Sequence, residues 1–174
     1  YAYAYLVSQL DSYQHHYLMT LVLVCWCFVP RAPTSPPGAP RTVRSWAVRL
    51  ILVQLGVLYL WAAIAKVDGA WLDGHTLSTQ VAPGWIRELF TSVGFAPVAI
   101  AVLMTELVLA ATVWQPRLWW VALPLGVGLH VGIELVDLEI GLFSYLMLAS
   151  YLWVVPDRVY VGVDRLLAPQ RGWL

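Results

Sequence analysis

Six side chains that can hold a proton or bind a metal ion fall in or beside long apolar segments of this chain. Only 11% of the 174 residues are charged, and 60% are hydrophobic. Ionisable groups inside apolar segments are costly and rare, so each one is a candidate functional group. The six are His15, His16, Lys66, His130, Glu134 and Asp137.

Lys66 has the side chain best suited to act as a base. It is the only lysine, and the other nine basic residues are arginines. Arginine keeps its charge at any accessible pH, whereas a lysine removed from water can release its proton and then accept one from a substrate. A plainer interpretation is a lysine at a helix end whose amine reaches the membrane surface, or one that pairs with Asp68.

His130, Glu134 and Asp137 are spaced at positions i, i+4 and i+7, so they lie on one face of a helix. A hydrogen bond between the His130 ring and Glu134 would orient the imidazole. A metal ion is the alternative, but two or three ligands on one helix are a weak signal. We therefore predict no metal site.

Two of the six, His15 and His16, are neighbours in the chain, and two further polar residues, Tyr59 and Glu106, accompany the set. His15 and His16 diverge by about 100° on a helix, so at most one faces a shared site, and both also fit a polar cap at the membrane surface. Tyr59 lies seven residues before Lys66 and shares its helix face. Glu106 lies in the interior of its segment, near the membrane midplane, and must be protonated or paired.

Composition predicts the elements that position these groups. A mean hydropathy of +0.71 and a net charge of zero exclude a nucleic-acid-binding protein, a disordered chain and a soluble globule. A helical span needs about 20 residues, so the predicted fold is an all-α, polytopic transmembrane helix bundle of about five spans. An interfacial helix is expected at 84–90. The predicted spans are 13–30, 46–67, 93–114, 118–136 and 140–155.

The domain organisation follows from these spans. We expect a transmembrane domain over residues 1–155 and a cytoplasmic tail over residues 156–174. The stretch Tyr1–Val7 is typical of the end of an upstream helix, so we expect part of the domain to precede it.

The arginines predict how the chain is oriented in the cell membrane. Eight of the ten basic residues fall in the first loop, in the turn at Arg117 and in the tail, which share one side if there are five spans. That side is predicted to be cytoplasmic, with Lys66 and Arg87 on the other. The six ionisable groups come from three helices, and all lie in the outer half of the membrane. We therefore predict one polar pocket that faces the extracytoplasmic side.

Three runs of the sequence resemble a known membrane domain. They are LDSYQHHYL, LYLWAAIAKVDGAWLDG and, after a histidine, IGLFSYLMLAS. From about Leu10 to Ser150 the chain resembles the HTTM (horizontally transferred transmembrane) domain of vitamin K-dependent gamma-carboxylases and their bacterial relatives, in the same order and with similar helix spacing.

The resemblance implies roles for particular residues. Lys66 matches the base that deprotonates vitamin K hydroquinone. His15 matches the histidine of an Asn-His element in which Gln14 replaces the asparagine, and His130 matches a pocket histidine. On this basis the predicted catalytic residues are Lys66, His130 and His15. The predicted cofactor-binding residues are Gln14, His16, Tyr59 and Glu134.

Three functional hypotheses follow. The first is a membrane enzyme that binds a quinol-like lipid, either vitamin K hydroquinone or a related menaquinol. It would act as a carbon–carbon lyase of the carboxylase type or as a quinol-dependent oxygen-using enzyme. The second is a non-catalytic HTTM subunit that docks with partner membrane subunits. The third is a small transporter with Glu106 and His130 as a proton relay, which the apolar inner half of the bundle disfavours.

Overall fold

The computed structural model describes residues 14–29, 45–138 and 142–167, and its side chains are described for 17–29, 45–138 and 142–163. The regular elements of this part of the chain are all helices, and it contains no strand. A 3₁₀ turn, Tyr151–Trp153, follows the helix Phe143–Ser150. The helices are α1 (Gln14–Cys27), α2 (Trp46–Ala65), α3 (Gly69–Leu72), α4 (His75–Gln80), α5 (Trp85–Val93), α6 (Phe95–Thr112), α7 (Trp119–Leu135), α8 (Phe143–Ser150) and α9 (Asp157–Leu167).

Five of these helices, α1, α2, α6, α7 and α8, coincide with the five predicted spans. Among the described residues, α2 and α6 are long and apolar enough to cross a membrane alone. α8 and α9 make a third span if this bent pair is counted as one, and α1 and α7 are shorter apolar helices. The predicted all-α membrane bundle is confirmed.

Helix ends follow local sequence signals. α6 begins after Gly94, whose φ of 96° favours glycine. Pro97 lies in the first turn of α6, where its missing N–H removes no intrahelical hydrogen bond. α7 ends before Asp137, which has a φ of 55°. Aspartate is one of the few residues that tolerate this left-handed conformation.

α2 and α6 form the centre of the bundle, where they pack along much of their length. α7 packs against α6 and α8, and α1 packs against α2 and α8. The core between them is mainly apolar, with buried polar residues such as Thr112, His130 and Ser144. Its buried hydrophobic residues are Leu18, Leu52, Leu55, Tyr59, Leu109, Val113, Ala122, Met147, Tyr151 and Val154.

The three short helices α3, α4 and α5 form a cap, residues 69–93, over one end of the bundle. Trp71, Leu77 and Val81 of the cap are buried against Ala99 and Val136. Arg87 donates hydrogen bonds to the carbonyl oxygens of Ser78 and Val81 at 2.6 and 2.7 Å. These bonds tie α5 to the end of α4, because the last carbonyls of a helix have no intrahelical donor.

The interfacial helix expected at 84–90 corresponds to α5. Ile86 and Phe90 pack against the cap cluster, whereas Trp85, Leu89 and Val93 are exposed on an adjoining stripe. This two-sided apolar surface is typical of a helix that lies between protein and lipid. Large apolar side chains are exposed along the spans as well, such as Trp61 at 64%, which implies contact with the lipid bilayer.

Part of the predicted tail forms α9. The axis of the segment Asp157–Val163 is turned by 84° from that of Phe143–Trp153, and the break falls at Pro156. Tyr160 Oη donates a hydrogen bond of 2.5 Å to the Leu152 carbonyl across this bend. The expectations for Tyr1–Val7 and for the proline-rich loop after the first span lie outside the described residues.

Candidate functional site

Lys66 lies at the C-terminal end of α2, beside the cap, and takes part in an ion pair. Its Nζ donates a hydrogen bond to Glu106 Oε1 at 2.8 Å and a longer one, of 3.3 Å, to the Ala62 carbonyl. The amine also lies 5.0 Å from the centre of the Trp71 ring, which adds a cation–π contact. The lysine side chain is 20% exposed and the glutamate side chain only 8%. The pair is therefore buried on its acidic side and accessible on its basic side.

The tilt of the two side chains explains how residues at different predicted depths meet. Every side chain in an α-helix leans towards the N-terminus of its own helix. α2 ends at the cap and α6 begins there, so Lys66 leans into the bundle while Glu106 leans out towards the cap. The hydrogen bond from Lys66 to the Ala62 carbonyl, one turn back, fits this direction.

Trp71 connects the ion pair to the cap. Its indole N–H donates to the Ala99 carbonyl of α6 at 3.1 Å, which fixes the ring over the lysine amine. Asp68 accepts a hydrogen bond of 2.9 Å from the Trp71 backbone N–H and so caps the start of α3. The interpretation in which Asp68 is the ionic partner of Lys66 is wrong, because Glu106 occupies that place.

A second polar group lies deeper in the bundle. Tyr59 Oη is 2.8 Å from His130 Nε2 and 2.6 Å from Tyr151 Oη. Tyr59 has a single hydroxyl proton, so it donates in at most one of these contacts and accepts in at least one. The three residues are 3%, 2% and 2% exposed. We call them the tyrosine–histidine cluster; it joins α2, α7 and the end of α8.

Gly126 makes room for this cluster. A Cβ atom at this position would overlap the hydroxyl and ring of Tyr151. The absence of a side chain therefore lets α7 approach the tyrosine ring closely enough for Tyr151 to reach Tyr59.

Glu134 does not orient His130 as expected. The His130 Nε2 atom is bonded to Tyr59, and its Nδ1 is buried without a hydrogen-bond partner. Asp137 lies beyond the end of α7 and is exposed. The predicted stripe on one helix face therefore divides into a buried histidine, a half-buried glutamate and an exposed aspartate. In the described part of the chain no group of three potential ligands is arranged to hold a metal ion.

The structure brings together some of the predicted site residues and leaves others apart. Tyr59 and His130 are in contact, and Lys66 lies seven residues from Tyr59, about 10 Å along the helix axis. Gln14, His15 and His16 lie in the first turn of α1, but their side chains are outside the described residues. A cleft between α1 and α2 is lined by none of the predicted residues; its polar lining residue is Gln54.

Sequence reasoning missed three partners. Glu106 was expected to be paired, but its partner was not identified. Trp71 and Tyr151 were not distinguished from the other aromatic residues of their segments. The direction in which side chains lean on antiparallel helices was a usable signal for the Lys66–Glu106 pair. No local signal in the sequence identifies Tyr151.

These features define an all-α membrane protein with a partly buried ion pair beside a helical cap. The family model of the HTTM domain matches residues 1–157, and the chain belongs to the HTTM family. No curated protein and no solved structure matches the chain.

Proposed function

We propose that this HTTM protein is a membrane enzyme that binds a quinol-type lipid and uses Lys66 as the base that removes a hydroxyl proton. The observation that carries the proposal is the position of the Lys66 amine. The amine is held by Glu106 and Trp71 at the cap, and the lysine side chain is 20% exposed. A base must touch its substrate, and a partly open amine at the edge of the bundle meets that requirement.

The surroundings of Lys66 suit an amphipathic ligand with a hydroxyl head. The Lys66 amine offers the polar contact for a hydroxyl group, while Glu106 Oε2 is buried and has no hydrogen-bond partner among the described residues. The neighbouring side chains Ile64 and Val67 are exposed and apolar, and they would face the hydrocarbon part of a lipid. Vitamin K hydroquinone or a related menaquinol fits this description, since it supplies an oxidisable pair of hydroxyls on an apolar tail.

The resemblance of the Lys66 segment to the vitamin K-dependent gamma-carboxylases supports the same chemistry. In that chemistry the deprotonated quinol reacts with oxygen. Removing the hydroxyl proton is the part of the reaction that side chains of this chain can perform. Chemistry of the carboxylase type is the extension of this proposal. The roles predicted for His15, Gln14, His16, Tyr59, His130 and Glu134 remain predictions.

The test is oxygen-dependent oxidation of vitamin K hydroquinone by the protein in lipid. Lys66→Arg keeps a positive charge beside Glu106 but cannot act as a base. We expect this variant to lose at least about 100-fold in rate, the usual contribution of a general base. Small amines added to Lys66→Ala should restore part of the activity, because they replace the base without its positioning.

Glu88→Gln serves as the matched control, because Glu88 is an exposed carboxylate on α5. It should oxidise the hydroquinone at the wild-type rate. Wild-type protein that is no faster than Lys66→Arg would contradict the proposed enzyme.

The second candidate function is a non-catalytic membrane subunit. The observation that favours it is that both polar groups already have partners inside the protein. Lys66 is paired with Glu106, and the residues of the tyrosine–histidine cluster are buried. A subunit of this kind would show no hydroquinone oxidation. It would also co-purify with a partner membrane protein after mild detergent extraction, an outcome that the enzyme does not require.

We further propose a multi-pass protein of the cell membrane with the cap on the extracytoplasmic side, as the arginine distribution predicts. Single cysteines at Ser92 in the cap and at Pro116 in the opposite turn, in a variant without Cys25 and Cys27, test this with an impermeant maleimide on intact cells. Labelling at position 92 alone is expected. Labelling at position 116 alone would reverse the orientation.

A further inference from the structure

The Lys66–Glu106 ion pair holds the proposed base in a form that cannot accept a proton. An ammonium group has three donors and no lone pair. Lys66 becomes a base only after it has released a proton. The Glu106 Oε1 atom is 2.8 Å from Lys66 Nζ and already accepts a hydrogen bond from it. Glu106 is therefore positioned to take that proton.

The setting of Glu106 favours such a transfer. The residue is 6% exposed, and its second carboxylate oxygen, Oε2, has no hydrogen-bond partner within the described part of the chain. Only Lys66 offsets its negative charge in the described structure. Buried opposite charges are costly to keep out of water, and moving one proton along their hydrogen bond removes both.

We propose that Glu106 stores the proton that Lys66 releases, so that the two residues act as one proton-accepting unit. This inference deepens the proposed function and rests on it. First, an N–H bond of Lys66 breaks and an O–H bond forms on Glu106 Oε1, which leaves a free amine beside a carboxylic acid. Then the hydroxyl O–H bond of the ligand breaks and its proton bonds to the amine. The electron pair stays on the ligand oxygen, opposite the restored ammonium, and neither step needs an oxidant or a reductant.

Glu106 acts through Lys66 and is therefore a positioning residue rather than a catalytic one. Other carboxylates do not fill this place. Asp68 caps α3 and is exposed, and Asp137 is exposed beyond the end of α7. Lys66 has its described ion pair with Glu106 alone.

Infrared difference spectroscopy tests the stored proton directly. The protein in lipid is exposed, without oxygen, to a short-chain hydroquinone. Binding should produce the band of a protonated carboxyl group in the wild type and in the control Glu88→Gln. The band should be missing from Glu106→Gln, whose amide keeps the shape and can still accept a bond from Lys66 but cannot take a proton. In turnover, Glu106→Gln should lower kcat at least about 10-fold and leave KM within about twofold, as expected for lost proton transfer.

The outcomes separate this inference from the proposed function. A wild type that oxidises the hydroquinone without a carboxyl band, or a band that persists in Glu106→Gln, overturns the inference and leaves the enzyme standing. A band without any oxidation supports the proton transfer and contradicts the enzyme. If Glu106→Gln does not fold, Glu106→Asp replaces it. That variant keeps a carboxyl group and should show the band at a shifted frequency, and its absence would also overturn the inference.

Discussion

The two polar groups of the bundle differ in charge and in access. The Lys66–Glu106 pair lies beside the cap, carries opposite charges and has a lysine side chain that is 20% exposed. The tyrosine–histidine cluster joins three elements through hydroxyl and imidazole groups, and each of its residues is 3% exposed or less. A reactive site needs a proton that can move and a path for the ligand, whereas a core contact needs satisfied hydrogen bonds and close packing. We therefore place the proposed chemistry at the first group and give the second a role in packing alone.

A large effect on stability is expected when one charge of the ion pair is removed. Lys66→Met should lower the free energy of unfolding by about 2 kcal/mol. That is less than the roughly 3–5 kcal/mol of a fully buried pair, because Lys66 is partly exposed. The loss arises because Glu106 is left buried without its donor. Thermal unfolding in detergent measures the effect.

The double variant Lys66→Met with Glu106→Leu removes both charges and should recover most of that loss. Buried ion pairs replaced by apolar residues are often as stable as the originals. If the changes in free energy of unfolding of the two single variants add up to that of the double variant, the two residues do not interact. The ion pair would then not stabilise the bundle as described.

The next effect concerns the tyrosine–histidine cluster and two glycines of α7. Gly126→Ala places a methyl group against the Tyr151 ring and should destabilise the protein by about 1–3 kcal/mol, the usual cost of overpacking. Gly128→Ala meets no atom within 4 Å. It should raise stability by up to about 1 kcal/mol, because alanine loses less backbone freedom in a helix. Equal shifts in Tm for the two variants would contradict the described packing.

The smallest expected effect is the loss of one hydroxyl. Tyr151→Phe removes the bond to Tyr59 and leaves the Tyr59–His130 contact in place. It should cost about 1 kcal/mol of stability, the net value of a typical hydrogen bond. Tyr145→Phe, at an exposed position of α8, should leave Tm unchanged. A Tyr151→Phe variant as stable as the wild type would show that the cluster does not support the bundle.

The helices could be predicted because lipid imposes a simple rule on them. A span must be long and apolar, so runs such as 93–114 and 118–136 gave helices close to α6 and α7. α5 was also expected, because the polar stretch after the second predicted span is long enough to hold an interfacial segment. α9 was missed as a helix, because a short amphipathic segment after a proline lacks the length that marks a span.

The candidate site could be predicted only in part. Lys66 was found because a single lysine among arginines is conspicuous. Its partner was missed because depth was counted along the helix axis, whereas side chains several ångströms long lean in opposite directions on α2 and α6. The His130–Tyr59 contact depends on the rotation of α7 against α2. Spacing along one helix suggested Glu134 instead, because it carries no information on the neighbouring helix.

The proposal that Lys66 is the base is tested best by measuring hydroquinone oxidation by two variants in the same lipid. Lys66→Arg and Tyr151→Phe are assayed beside the wild type, at a temperature where unfolding measurements show all three to be folded. We expect Lys66→Arg to lose at least about 100-fold in rate with its fold intact. We expect Tyr151→Phe to stay active with a lowered Tm. If Lys66→Arg is active and Tyr151→Phe is folded but inactive, Lys66 is not the base. The proposed chemistry would then move to the tyrosine–histidine cluster.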